Sequence, residues 1–141
     1  MKNTAITSKL ILLSLAVLFA CQSTNQEAIK LKQYQIHGKE LYELHCLNCH
    51  QSDGSGLGLL IPPIDSSFIL GNQALIICGI KNGLKGPISV NGKNYDREMP
   101  ANARLTSLEI AEIMTYIQSN WAKKDSIVEI STIQKSLNSC N

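Results

Sequence analysis

A chain of 141 residues, 44% hydrophobic and 17% charged, has room for one small domain and a leader. Its formal net charge of +2 resides in Lys2 and Lys9. Residues 21–141 hold 11 basic against 11 acidic side chains, a balance that gives no electrostatic reason to expect nucleic acid as a partner. Those same residues carry six aromatics (Phe68, Trp121 and four tyrosines). A domain of about 100 ordered residues is marginal on so modest a core, and a large apolar cofactor would supply what is missing.

In chain order, residues 1–20 read as a secretory signal. Lys2 and Lys9 form the positive region, residues 10–19 a short apolar run, and Ala20 the small residue that processing requires. An apolar run of about ten residues is too short to span a bilayer, which takes about 20. Leu18-Phe19-Ala20-Cys21 resembles the lipobox of bacterial lipoproteins, whose cysteine is acylated and becomes the first mature residue. Phe19 departs from the small or β-branched residue usual there, and ordinary cleavage nearby is the alternative. The expected product is exported and held on the periplasmic side of a bacterial membrane by lipid alone.

Residues 21–32 read as a flexible tether, 33–121 as the main domain and 122–141 as a tail. A first helix is predicted over 33–47, where Tyr34, Leu41, Leu44 and Leu47 recur at helical spacing. Residues 51–66, with Gly54, Gly56, Gly58 and Pro62-Pro63, form an irregular loop. A loop that long in a small domain is usually functional or wrapped around something. Asn72 is the expected cap of a helix over 73–81 that stops at Asn82-Gly83. Ile88-Ser89-Val90 and Lys93-Asn94-Tyr95 flank Asn91-Gly92, a type I′ hairpin signal. A second loop, 96–105, carries Met99-Pro100. Thr106-Ser107-Leu108-Glu109 is a capping box that opens a helix to about residue 119, and a short helix is expected near 131–137.

The chemistry sits at Cys46-Leu47-Asn48-Cys49-His50, a C-x-x-C-H pattern of the kind that attaches haem c. At a helix end, Cys46 and His50 lie one turn apart on the same side, with Cys49 beside them. Two thiols can then add to the two vinyl groups of one porphyrin, leaving the imidazole of His50 to reach the iron. A thioredoxin-like pair lacks its βαβ context, and half a zinc site lacks its second half. For the sixth ligand the candidate is Met99, in a loop and fixed by Pro100. Its soft, neutral thioether favours ferrous iron and raises the potential. Met114 falls in an apolar helical stripe, where methionine fills gaps. His37 and His45 belong to the helix that holds Cys46, and surface or packing roles suit them better.

The ordered set GKELYELHCLNCH, LIPPI, GPISVNGKNYDREMPA and LTSLEIAEIMTYI, over roughly residues 38–121, resembles the class I cytochromes c. More narrowly it is similar to monohaem cytochromes of Bacteroidota and to the cytochrome domain fused to some copper nitrite reductases. The resemblance implies an all-α fold: a three-helix core around one covalent haem c, with a small hairpin and a C-terminal tail. It also implies a close crossing of the first and last core helices, which Gly38 and Tyr42 would make against Tyr116. A carbonyl of Pro62 or Pro63 is expected to accept the Nδ1 proton of His50, as metal-bound histidines usually require; the alternative is that the two prolines only stiffen the loop.

With Cys21 assigned to lipid and Cys46 and Cys49 to haem, Cys78 and Cys140 remain. Disulfides persist in exported proteins, and this one would tie the tail back; in the chain-entropy picture it contributes about 4 kcal/mol. Two separate thiols are the alternative. Lys81, Lys85 and Lys93 either steer an acidic redox partner near an exposed haem edge or form an ordinary solvated face. Tyr95 and Arg97 either bond a haem propionate or serve in packing and at the surface. The reading is an electron carrier rather than an enzyme, with a respiratory oxidase or reductase as its redox partner. The rival is a peroxidase or gas sensor with an open sixth site, in which Arg97 assists peroxide cleavage.

Overall fold

The structure, a computed structural model, describes residues 26–140. By its contacts the chain divides into two units, Met1–Lys32 and Gln33–Asn141. In the first unit, residues 26–32, part of the stretch read as a flexible tether, are helical. Composition explains it: Glu27, Ala28, Lys30, Leu31 and Lys32 are strong helix formers, uninterrupted by glycine or proline. The leader, and Cys21 with the lipid expected on it, lie outside the described residues.

The second unit is the all-α architecture expected, with one hairpin. Helix α1 takes residues 33–45, and after a turn at Cys46 the short α2 (Leu47–His50) follows. Helix α3 (Ser66–Gly71) has no counterpart among the expected elements. Asp65 opens it, its carboxylate accepting the Phe68 amide at 2.8 Å. Helix α4 (Gln73–Asn82) follows at once. Asn72 does not cap it through its side chain. Wedged between two helices, Asn72 instead donates its Nδ2 to Phe68 O at 3.1 Å and so closes α3.

Strands β1 (Ile88–Val90) and β2 (Lys93–Tyr95) pair antiparallel, Ile88 with Tyr95 and Val90 with Lys93. Asn91 and Gly92 turn between them at φ 52° and 72°, the positive pair that a type I′ turn needs. Helix α5 (Ser107–Ala122) starts at the expected capping box: Thr106 Oγ1 accepts the Glu109 amide, and Glu109 accepts the Thr106 amide at 2.7 Å. It runs past residue 119 because nothing breaks it before Lys123, at φ 53°. Helix α6 (Ile130–Leu137) closes the described chain.

The core lies where α5 meets the other helices. Ile110, Ile113 and Met114 of α5 are wholly buried with Ile77 of α4 and Ile133 of α6. Gly38 is the point where α1 crosses α5. A Cβ there would overlap the Glu112 carbonyl oxygen and lie 2.8 Å from Tyr116 Cβ. One turn on, the Tyr42 ring lies tilted against those of Tyr116 and Trp121, with centroids 5.5 and 5.1 Å apart. Gly38→Ala must therefore push the two helices apart, and overpacking of this kind costs about 3 kcal/mol. Denaturant unfolding of the holoprotein should show the midpoint fall with an unchanged slope. An unchanged midpoint would mean that the crossing is looser than this.

Candidate haem site

Helix α1 delivers the C-x-x-C-H segment by hydrogen bonding alone. The Cys46 amide donates to Tyr42 O at 2.8 Å, and the amides of Cys49 and His50 donate to Cys46 O at 3.1 and 2.9 Å. The chain then turns sharply at Gln51, a non-glycine residue at φ 64°. The Tyr42 hydroxyl locks that turn by donating to Gln51 O at 2.6 Å. Trp121 holds the next residues, its indole N–H donating to Asp53 O at 2.9 Å. The aromatic cluster of the helix crossing thus fixes the exit of the motif as well as the core.

Cys46 and His50 open onto an apolar cavity that they share with Met99. Its walls come from Pro62, Pro63 and Ile64, from Phe68 and Ile69 of α3, from Ile76, Gly79 and Ile80 of α4, and from Ile88 and Val90 of β1. Asp65 is the charged residue in this lining, and its carboxylate already caps α3. Burial pushes the Cys46 thiol up to about 11, with the neighbouring Cys49 adding to the effect. A thiol so poised is neutral near pH 7, unlike the depressed thiolate of a redox or zinc-binding cysteine. Among the described residues, no three His, Cys, Asp or Glu side chains gather to hold a metal ion.

Burial also lowers the pKa of His50, so its imidazole is neutral with a lone pair to give. The opposing, smaller influence is the Pro62 backbone facing the ring. Nδ1 has no partner in full hydrogen-bond geometry, and it is the buried side-chain polar atom left unpaired among the described residues. The Pro62 backbone nonetheless stands beside the ring, and its carbonyl is the candidate acceptor for that nitrogen. Gly56 keeps that carbonyl in place: at φ 70°, a Cβ would overlap Ile61 O and lie 2.6 Å from Pro62 O. In the sequence this glycine marks a loop without showing what it touches.

Met99 is held by the segment that leaves the end of α4. Its backbone exchanges two hydrogen bonds with Leu84, at 2.9 and 3.0 Å. Its sulfur lies 4.0 Å from where a Gly79 Cβ would stand. Met114, the rival, is wholly buried in the core. His37 pairs its Nδ1 with Glu112 at 3.2 Å, and His45 lines a separate shallow depression with Arg104 and Glu109. Neither lines the cavity. Lys81 spends its ammonium on Ala103 O and Leu105 O, both at 2.7 Å, and Lys85 pairs with Glu98 at 3.2 Å. Two of the three lysines considered for steering are thus engaged within the fold. Tyr95 is buried on the hairpin and Arg97 is exposed, and neither lines the cavity.

The donors present fit a haem: two thiols at helical spacing, a neutral imidazole with its second nitrogen awaiting an acceptor, a thioether, and apolar walls. Cys78 and Cys140, outside this set, are joined in a disulfide.

Comparison with known proteins agrees. The family model for cytochrome c matches residues 36–121. Cytochrome c-552 of Thermus thermophilus is 34% identical over 97 residues, 64% of this chain and 73% of that protein. The cytochrome c-552 of a second strain of that species is also 34% identical, over 65% of its own length. A covalently attached haem c and haem-based electron transfer are the properties of this group. The chain belongs to the cytochrome c family.

Proposed function

We propose that the chain is a monohaem electron carrier rather than an enzyme, with Cys46 and Cys49 as the attachment points and His50 and Met99 as the iron ligands. The observation that carries this reading is the apolar cavity into which His50 and Met99 both open, with Cys46 at its edge. Cys46 and Cys49, both free thiols, would hold the haem through thioether bonds. The haem, when bound, supplies an iron that takes up and gives back one electron. The protein's part is to keep the reorganisation around that change small. Pro62 would orient His50, Leu84 just past α4 fixes the Met99 backbone, and the apolar walls keep water from rearranging around the charge.

The protein acts outside the cytoplasm, exported by residues 1–20 and anchored through lipid on Cys21, where it meets a respiratory oxidase or reductase. Disulfide pairing of Cys78 with Cys140 accords with an oxidising compartment. No helix among the described residues is long and apolar enough to cross a membrane.

Two measurements test the reading. Redox titration of the matured protein should follow a one-electron curve, and the ferrous form should not take up carbon monoxide readily. Rapid uptake would mean an open sixth site and favour the sensor or peroxidase reading instead.

A further inference from the structure

Residues 126–140 lie beyond the segment matched by the family, which ends at residue 121. They form a strap across the domain. The Val128 amide donates to the buried Thr115 Oγ1 at 2.9 Å, and Gln118 Nε2 donates to Ser126 O. Ile133 is wholly buried, α6 packs on α4 and α5, and Cys140 is bonded to Cys78 within α4.

Helix α4 is also the mount of the methionine loop. Besides the Met99–Leu84 pair, the Asn102 amide donates to Ile80 O at 2.9 Å, and Lys81 clamps Ala103 O and Leu105 O. A Cβ on Gly79, next in sequence to Cys78, would lie 4.0 Å from the Met99 sulfur. The strap grips α4 at residue 78; α4 grips the segment after Met99 through Ile80 and Lys81, and Leu84, two residues past the end of α4, bonds Met99 itself. A contiguous chain of bonded and packed groups joins the two, which is the physical requirement for coupling.

We propose that the strap and its disulfide position Met99: with Cys78–Cys140 closed, the sulfur is held at the iron, and with it open, Met99 yields to an external ligand. This rests on the reading of Met99 as the distal ligand. Opening the bond takes two electrons and two protons from an external dithiol and leaves two thiols. The rest of the strap, anchored by Val128 and Ile133, still docks but opens locally more often. Cys78 and Cys140 are therefore positioning residues that act through α4.

The test uses ferric holoprotein mixed with imidazole, whose binding requires Met99 to leave. In the variant Cys78→Ser/Cys140→Ser, imidazole should bind about tenfold faster than in wild type, within the range of couplings through packed elements. The midpoint potential should fall, while covalent haem and helix content stay the same. Wild-type protein opened with a dithiol and trapped with N-ethylmaleimide should show the same rise, and this material carries the test if the double variant does not fold. An untrapped aliquot allowed to re-form its disulfide should return to the original rate. An unchanged imidazole rate and potential, with only a lower unfolding temperature, would overturn the proposal, because a purely stabilising strap does just that. Met99→Ala separates the two readings. If it keeps the sulfur–iron band, the ligand assignment itself fails. If it loses the band while opened wild type binds imidazole at the closed rate, only the coupling fails.

Discussion

Met99→Ala should abolish the weak long-wavelength band of the ferric protein and lower its midpoint potential by about 0.2 V, well inside the roughly 0.8 V over which axial ligands set haem potentials. The thioether is a soft, neutral donor that favours ferrous iron, and water or a stray nitrogen base in its place does not. The effect should be confined to the site, because the loop bearing Met99 keeps its backbone bonds to Leu84 and Ile80 without the side chain. Met114→Ala is the matched control. It leaves a cavity in the core, where Met114 is wholly buried, and should cost about 3 kcal/mol of stability while the band stays. A visible spectrum and a potentiometric titration of each variant decide the matter. Loss of the band in Met114→Ala with retention in Met99→Ala would reverse the assignment.

Cys46→Ala/Cys49→Ala should yield protein whose haem, if any is retained, passes wholly into acid acetone. In the wild type, thioether bonds through both cysteines should resist that extraction. The double variant should also lose stability well beyond what two small side chains explain. A haem free to leave would expose the apolar walls made by α3, α4 and the hairpin and withdraw the stabilisation that its binding gives the folded state. Extraction measures the covalent link and thermal unfolding the consequence. Acid-resistant colour in the double variant would place the attachment elsewhere.

Much of this is legible in the sequence because the signals are local. The C-x-x-C-H spacing, the Asn91-Gly92 turn and the Thr106–Glu109 box each specify geometry within a few residues, and each stands where expected. The Gly38 crossing is legible only through family resemblance, since nothing near residue 38 names its contact on α5. Helix α3 is not visible because its cap, Asp65, follows directly on a proline-rich loop, and a six-residue helix shows less than two turns of periodicity. Asn72 reads as a cap for one helix when it terminates another, a choice that depends on α3 being there at all.

The cavity walls are hidden for a different reason. Ile88 and Val90 alternate as any half-buried strand would, and Ile76 and Ile80 recur as on any packed helix. Apolar residues carry the same pattern whether they face a core or a cofactor. The lysines mislead in the opposite direction: Lys81 looks solvated in sequence, yet its acceptors are the distant backbone carbonyls of Ala103 and Leu105, which no side-chain pattern reveals.

Mass analysis of the peptide spanning residues 46–50, cut from matured wild-type protein, examines the site most directly. That peptide should carry the mass of one haem, bound through both Cys46 and Cys49. Recovery of the peptide with both thiols unmodified, from cells that attach haem to other cytochromes, would contradict the account.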